Sequence, residues 1–180
     1  MAELVSQTYA NALFETAMES NLQDEIKTQI NDLCEIISNN SDYVKILSSP
    51  IVGIKEKHEL VNATFNGRIS DYLLNLIFVL VDNNRFAIFF DVTSAYNKLH
   101  DRKHNILRVT AVTATELSAS MKDKLQNKLC ELSKKDVVLL NEVDETLIGG
   151  VLLKYDNMEI DGSVKTKLDE IKKQVRAKTL

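Results

Sequence analysis

LIGGVLLKYDNMEIDGSV, residues 147–164, is the stretch that decides the fold of the C-terminal part of this chain. Strand-forming residues lie on either side of the polar pair Asp156-Asn157, which predicts a β-hairpin with a tight turn. Gly149 and Gly150 place no side chain on the pleat, so we expect a bulge or the close approach of another element. Ser163 is expected to cap a helix with apolar residues at Val164, Leu168, Ile171 and Val175.

The sequence before this stretch changes from strand to helix and back to strand. Leu107, Val109 and Ala111 alternate with neighbours on the other face of a strand, and a second strand is expected from Val137 to Val143. Between them, a helical repeat places apolar residues at Leu117, Met121, Leu125, Leu129 and Leu132. The order β-α-β-β-β-α predicts a small α+β domain with a mixed sheet over residues 105–180.

Residues 1–104 have helical periodicity throughout. Short loops separate six apolar repeats, and Pro50, Gly67 and Ser70 mark breaks between them. The repeats include Tyr9, Ala10, Leu13, Phe14 and Ala17; Leu22, Ile26, Ile30, Leu33 and Ile37; Tyr43 to Leu47; Ile54, His58, Val61 and Phe65; Ser70 to Val81; and Phe89, Val92, Tyr96 and Leu99. The fold class is therefore mainly α: a six-helix antiparallel bundle, followed near residues 101–105 by the α+β domain.

Two helices carry apolar residues that their main buried stripe does not use. On a helical wheel, one leftover strip belongs to the first helix and the other to the fifth. The candidate binding residues on these strips are Val5, Tyr9, Ala12, Tyr72, Leu76 and Val79. The pattern fits either a groove for an external helix or a central helix surrounded by its own bundle.

Composition narrows the class of protein. Of the 180 residues, 44% are hydrophobic and 27% are charged, which is typical of a globular chain. A net charge of −4 argues against nucleic acid as the main partner. The N-terminus has no signal-peptide pattern and the longest apolar run is too short to span a bilayer, so direct membrane insertion is not expected. Cys34 and Cys130 are expected to be buried, reduced thiols.

No motif for catalysis, a cofactor or a metal stands out. Gly149-Gly150 lacks the GxGxxG pattern and the Gly-Lys-Ser/Thr of phosphate loops. The acidic residues 156, 159 and 161 do not have EF-hand spacing, and His100 with His104 lacks the glutamate of HExxH. Ser163 has no GxSxG elbow. We therefore expect no catalytic residue, no cofactor and no metal ligand.

Four motifs along the chain are similar, in order, to those of one protein family. They are Tyr9-Ala10-x-Ala12-Leu13-Phe14-Glu15-x-Ala17, Leu47-x-x-Pro50-x-x-x-x-Lys55, Asn75-Leu76-Ile77 with Asp82-Asn83-Asn84-Arg85, and residues 147–164. The chain resembles the delta subunit of bacterial F-type ATP synthases, the counterpart of the mitochondrial oligomycin-sensitivity-conferring protein. Asn84 departs from the glycine of many members, but asparagine also tolerates a left-handed turn.

The resemblance implies a noncatalytic stator subunit that links the catalytic head to the peripheral stalk, so that proton-driven rotation is coupled to ATP synthesis. It assigns the first and fifth helices of residues 1–104 to the N-terminal helix of an α subunit. It assigns residues 105–180 to the C-terminal region of the b subunits. The implied location is the cytoplasmic face of the bacterial membrane. The alternatives are a free cytosolic helical adaptor and a small hydrolase.

Overall fold

The computed structural model describes residues 2–156 and 158–168. The backbone divides after Lys103 into two compact units, one residue before the expected boundary. We refer to them as the N-terminal unit and the C-terminal unit, and each is described by itself.

Helices make up the N-terminal unit. Over its described residues these are α1 (Ala2–Glu19), α2 (Gln23–Ser38), α3 (Ser41–Ser48), α4 (Ile54–Phe65), α5 (Asp71–Asp82) and α6 (Phe89–Lys103), with a 3-10 turn at Phe86–Ile88. Local sequence signals explain where α5 begins and where α3 ends. The Ser70 side chain accepts a hydrogen bond from the Leu73 N–H and caps α5, and α3 ends two residues before Pro50.

The apolar repeats of these helices meet in one core. Phe14 of α1 and Tyr96 of α6 pack edge to face, with ring centroids 5.5 Å apart. The Tyr96 hydroxyl donates to the Gln23 carbonyl oxygen at 3.1 Å, and burial, with Asp24 nearby, raises the pKa of this tyrosine. The fully buried side chains of α5 include Leu73, Ile77, Leu80 and Val81.

One expected core position in α4 is wrong. Ile54 is 48% exposed, whereas Lys57 is only 1% exposed. The long apolar stem of a lysine can pack like a hydrophobic side chain while its ammonium reaches a polar atom. Here the Lys57 Nζ donates to Asn84 Oδ1 at 3.4 Å. Val61 and Phe65 face inwards as expected, and Lys57 takes the buried position one turn before Val61.

A mixed sheet and one long helix form most of the described C-terminal unit. The elements are β1 (Ile106–Thr113), α7 (Ala119–Ser133), β2 (Asp136–Val143), β3 (Val151–Tyr155) and β4 (Met158–Asp161). The strand order is β2-β1-β3-β4, with β1 parallel to β2 and antiparallel to β3. The expected hairpin is confirmed, since β3 and β4 pair antiparallel.

The α7 helix covers one face of this sheet. Val109 and Ala111 of β1 and Val137 and Leu139 of β2 are buried against its inner side. The sequence assigned too many residues to that side. Met121 is 61% exposed and Leu132 is 72% exposed, and Leu117 lies before the helix begins, although it still contacts the core. The half-buried Leu125 and Leu129 make the helix contacts of this core.

The expected close approach at the glycine pair is confirmed. Gly150 has a φ of +86°, and a Cβ built on it would lie 2.5 Å from the Gly162 carbonyl oxygen. Any side chain there would collide with backbone. The Val164 N–H donates to the Gly149 carbonyl oxygen at 3.0 Å, so the pair holds the entry of the last helix.

Ser163 caps that helix as expected. Its Oγ accepts from the Thr166 N–H at 3.3 Å, and Asp161 Oδ1 accepts from the Ser163 N–H at 2.7 Å. The Thr166 hydroxyl donates to Asp161 Oδ2 at 2.6 Å. These hydrogen bonds hold the pKa of Asp161 below its usual value, and the bond from the Thr166 hydroxyl contributes most. The apolar positions expected at Ile171 and Val175 lie outside the described residues.

Candidate partner-binding surface

Helices α1 and α5 lie antiparallel, as two side-chain hydrogen bonds show. Ser20, directly after α1, bonds through its Oγ to the hydroxyl of Tyr72 near the start of α5 at 2.8 Å. In the middle of α1, the Tyr9 hydroxyl accepts from Nη1 of Arg85, just after the end of α5, at 3.2 Å. The two leftover apolar strips therefore belong to neighbouring helices, which are joined by one hydrogen bond beside Ser20 and another beside Tyr9.

The predicted binding residues are brought together on these two helices. We call the set Val5, Tyr9, Ala12, Tyr72, Leu76 and Val79 the α1–α5 surface. Val79 is 44% exposed and Ala12 is exposed, while the side chains of Val5, Tyr9 and Tyr72 are half-buried. Leu76 differs, because it is only 8% exposed and belongs to the core of the unit. It therefore packs into the core and is not an exposed contact.

The turn after α5 fixes the backbone at one end of this surface. The Arg85 N–H donates to the Leu80 carbonyl oxygen at 2.7 Å, and the Asn84 N–H donates to that of Val81 at 3.0 Å. This is a Schellman motif, which requires a left-handed residue at the position of Asn84. Its φ of 53° confirms the expected left-handed turn at this asparagine. Unlike glycine, Asn84 also offers a side-chain oxygen to Lys57.

Sequence reasoning missed a buried polar cluster between α2 and α6. His100 and Asp101 of α6 are both buried. Lys27 of α2 places its Nζ 3.0 Å from Nδ1 of His100 and 3.1 Å from Oδ1 of Asp101. The His100 Nε2 lies 2.6 Å from Oδ1 of Asp24. The only sequence signal was the i, i+4 spacing of His100 and His104, the second of which follows the end of α6, and it gave no indication of the partners on α2.

The other motifs that were weighed have structural roles. The backbone of Gly150 faces that of Gly162 and Ser163, which fills the space a phosphate would need. Asp161 and Ser163 are engaged in the helix cap. His58 is half-buried as expected, with its Nε2 2.7 Å from Oδ1 of Asp82.

Cys34 and Cys130 are free thiols, but each is half-buried rather than fully buried. Burial raises the pKa of Cys34, which disfavours its reactive thiolate. Among the described residues, no helix has both the length and the apolar character that crossing a membrane demands.

Comparison with known proteins identifies the class. The sequence model described as "ATP synthase delta (OSCP) subunit" matches residues 5–175. The ATP synthase subunit delta of Clostridioides difficile is 34% identical over 176 residues, with 97% of each chain covered. That of Alkaliphilus metalliredigens is 35% identical over 175 residues, again with 97% of each chain covered.

The fold is also found in a solved complex. A chain in the cryo-EM structure of the Toxoplasma gondii mitochondrial ATP synthase hexamer superposes with a TM-score of 0.75 at 20% identity. The match covers 94% of the present chain and 96% of the other. The chain belongs to the ATP synthase delta (OSCP) subunit family. It is a noncatalytic stator component of an F-type ATP synthase.

Proposed function

We propose that the N-terminal unit holds the catalytic head and that the C-terminal unit holds the b subunits of the peripheral stalk. In this proposal the α1–α5 surface receives the N-terminal helix of an α subunit. The C-terminal region of b binds the unit formed by residues 105–180. The whole assembly then lies at the cytoplasmic face of the bacterial membrane, and the chain itself stays peripheral.

The observation that carries the head contact is the pair of antiparallel helices with apolar residues left open. Two helices packed side by side form a groove into which the apolar face of a third can fit. Val79 and Ala12 provide open apolar contacts. A stator must also resist torque for many turnovers. Apolar helix contacts dissociate slowly, whereas exposed ion pairs add little affinity, so this kind of surface suits the task.

Exposed apolar residues support a partner for the C-terminal unit. Val138 and Leu140 of β2 point to the sheet face opposite α7 and remain exposed. Ile148 before β3 and Ile160 of β4 are also exposed. An elongated helical subunit such as b could bury part of this area and gain roughly 25 cal/mol for each Å² of apolar surface removed from water.

Reconstitution of coupling tests this function. Membranes depleted of the chain should hydrolyse ATP without efficient proton pumping, and the wild-type chain should restore ATP synthesis. Replacing Ala12 by leucine should fill the groove and obstruct the incoming helix, at a cost of about 1 to 3 kcal/mol in binding. Restoration of full coupling by Ala12→Leu would exclude the α1–α5 surface as the head contact. Failure of the wild-type chain to restore coupling would contradict the stator function in this assay.

A further inference from the structure

The two ends of the α1–α5 surface carry opposite charges. Arg85 lies at the end marked by Tyr9, to which its guanidinium is hydrogen bonded. Glu19 and Asp71 directly precede Ser20 and Tyr72, whose hydroxyls are bonded at the other end. The side chains of Arg85, Glu19 and Asp71 are all exposed. A helix lying along the surface would therefore meet a cation at one end and carboxylates at the other.

These side chains decide the polarity because their full charges outweigh the partial charges of the nearby helix termini. A helix carries partial positive charge at its N-terminus and partial negative charge at its C-terminus. At the end beside Ser20 and Tyr72, the C-terminus of α1 meets the N-terminus of α5, so their partial charges largely cancel and the charges of Glu19 and Asp71 remain. At the other end Tyr9 lies in the middle of α1, so only the C-terminus of α5 contributes, and its partial negative charge of about half a unit is smaller than the full charge of Arg85.

We infer that Arg85 is a specificity-determining residue that sets the direction of the bound helix. The C-terminal end of the incoming helix lies beside Arg85 and Tyr9, and its N-terminal end lies beside Glu19 and Tyr72. The bound helix therefore runs parallel to α5 and antiparallel to α1. This inference rests on the proposed function, because it assumes that the α1–α5 surface receives a helix.

Arg85 is well placed for this role. The Schellman motif fixes its backbone, and the hydrogen bond to Tyr9 holds its guanidinium against the surface. The closest carboxylate in the sequence, that of Asp82, lies 2.7 Å from Nε2 of His58 on α4. The Asp82 carboxylate is thus bonded to another helix, whereas the guanidinium of Arg85 is bonded to Tyr9 on the proposed partner surface.

The direction of a bound peptide can be measured with the full-length chain. Tyr9 and Ser20 are separated by roughly 16 Å along α1, so the two ends can be resolved by a nitroxide label. The probe is a synthetic peptide of roughly the first 20 residues of the α subunit from the same organism, labelled at either terminus. Line broadening of backbone amides at Tyr9 and Tyr72 then reports the position of each label.

Each label is expected to broaden the amides at one end of the surface only. A label at the peptide C-terminus should broaden Tyr9 and Arg85, and a label at the N-terminus should broaden Ser20 and Tyr72. The reverse pattern, or equal broadening of both ends by either label, would overturn the assignment of direction. A peptide that fails to bind, or that broadens neither end, would instead contradict the proposed function, so the two failures are distinguishable.

Charge variants test whether Arg85 sets this direction. Arg85→Ala should weaken peptide binding about two- to fivefold at low salt, and the difference should shrink as ionic strength rises. Arg85→Lys keeps the charge and should retain most of the affinity. Arg102→Ala removes an exposed arginine from α6 and should leave binding unchanged. A salt-independent loss with Arg85→Ala would indicate a purely structural role and contradict the inference.

The combined exchange Arg85→Glu with Glu19→Lys is the strongest form of this test. It reverses the charge at both ends and should shift the broadening pattern towards the opposite direction. An unchanged pattern, with the protein folded by circular dichroism, would show that shape rather than charge sets the direction.

Discussion

The two units bury apolar residues in different ways. The N-terminal unit gathers residues from every one of its described helices around a single core, including large side chains such as Phe86, Phe89 and Tyr96. Over the described residues, the core of the C-terminal unit contains Val109, Ala111, Val137 and Leu139, and α7 covers it from one side. Helices surround the core of the N-terminal unit, whereas α7 packs on one face of a small sheet. In the described part of the C-terminal unit, pairing between the strands and the bonds around Ser163 join the remaining elements.

Cavities in the two cores should give the largest effects and should act locally. Phe89→Ala should destabilise the N-terminal unit by about 3 to 5 kcal/mol, because a buried ring is lost and the helices relax only in part. Leu139→Ala should destabilise the C-terminal unit by about 2 to 5 kcal/mol. Hydrogen exchange resolved by residue would measure both. Loss of amide protection in both units from either variant would show that they do not unfold separately.

Two glycines with positive φ, one in each unit, allow a second comparison of the units. Gly150→Ala should cost the C-terminal unit about 2 to 4 kcal/mol, since it adds left-handed strain to a collision with the backbone of Gly162. Gly67 in the N-terminal unit has a φ of +71° with no neighbour within 4 Å of a built Cβ. Gly67→Ala should therefore cost only about 1 kcal/mol. Equal losses in denaturant unfolding would contradict the role of crowding at Gly150.

Lys57 tests whether its stem or its charge matters in the N-terminal unit. Lys57→Met keeps most of the apolar volume, so stability should fall by less than about 1.5 kcal/mol. Lys57→Ala removes buried methylene groups and should cost about 2 kcal/mol. Urea unfolding of the two variants measures the difference. A large loss with methionine would show that the contact between the ammonium and Asn84 dominates.

Acid should weaken the helix cap of the C-terminal unit. Hydrogen bonds from Thr166 and Ser163 lower the pKa of Asp161 in the folded state. A lowered folded pKa means that this stabilisation is present above the unfolded value, roughly 4, and is lost as pH falls through the folded value. Asp161→Asn should make the stability of this unit less dependent on pH in that range. An unchanged acid profile by circular dichroism would contradict this.

The sequence predicted elements better than it predicted faces. The ends at Ser70, Ser163 and Asn84 were predictable because capping and left-handed turns depend on neighbouring residues. Which side of a helix is buried depends on distant elements, so Ile54 and Met121 were assigned to the wrong side. The same limit applies to the α1–α5 surface.

On that surface, each apolar strip could be predicted from the helical wheel of its own helix. The family resemblance then assigned both helices to one partner. The contact between Arg85 and Tyr9 joins residues far apart in the chain and needed the structure. The depth of Leu76 likewise depends on how α5 packs against its neighbours.

Titration of the α-subunit peptide against Val79→Asp tests the central claim most directly. A charge at this half-open apolar position should weaken binding roughly tenfold or more, because an unpaired carboxylate would be buried by the incoming helix. Ile36→Asp is the matched control, since Ile36 of α2 is 51% exposed compared with 44% for Val79. The account predicts lost affinity for Val79→Asp alone, with thermal stability close to wild type in both variants. Normal binding by Val79→Asp, or unfolding of its N-terminal unit, would contradict it.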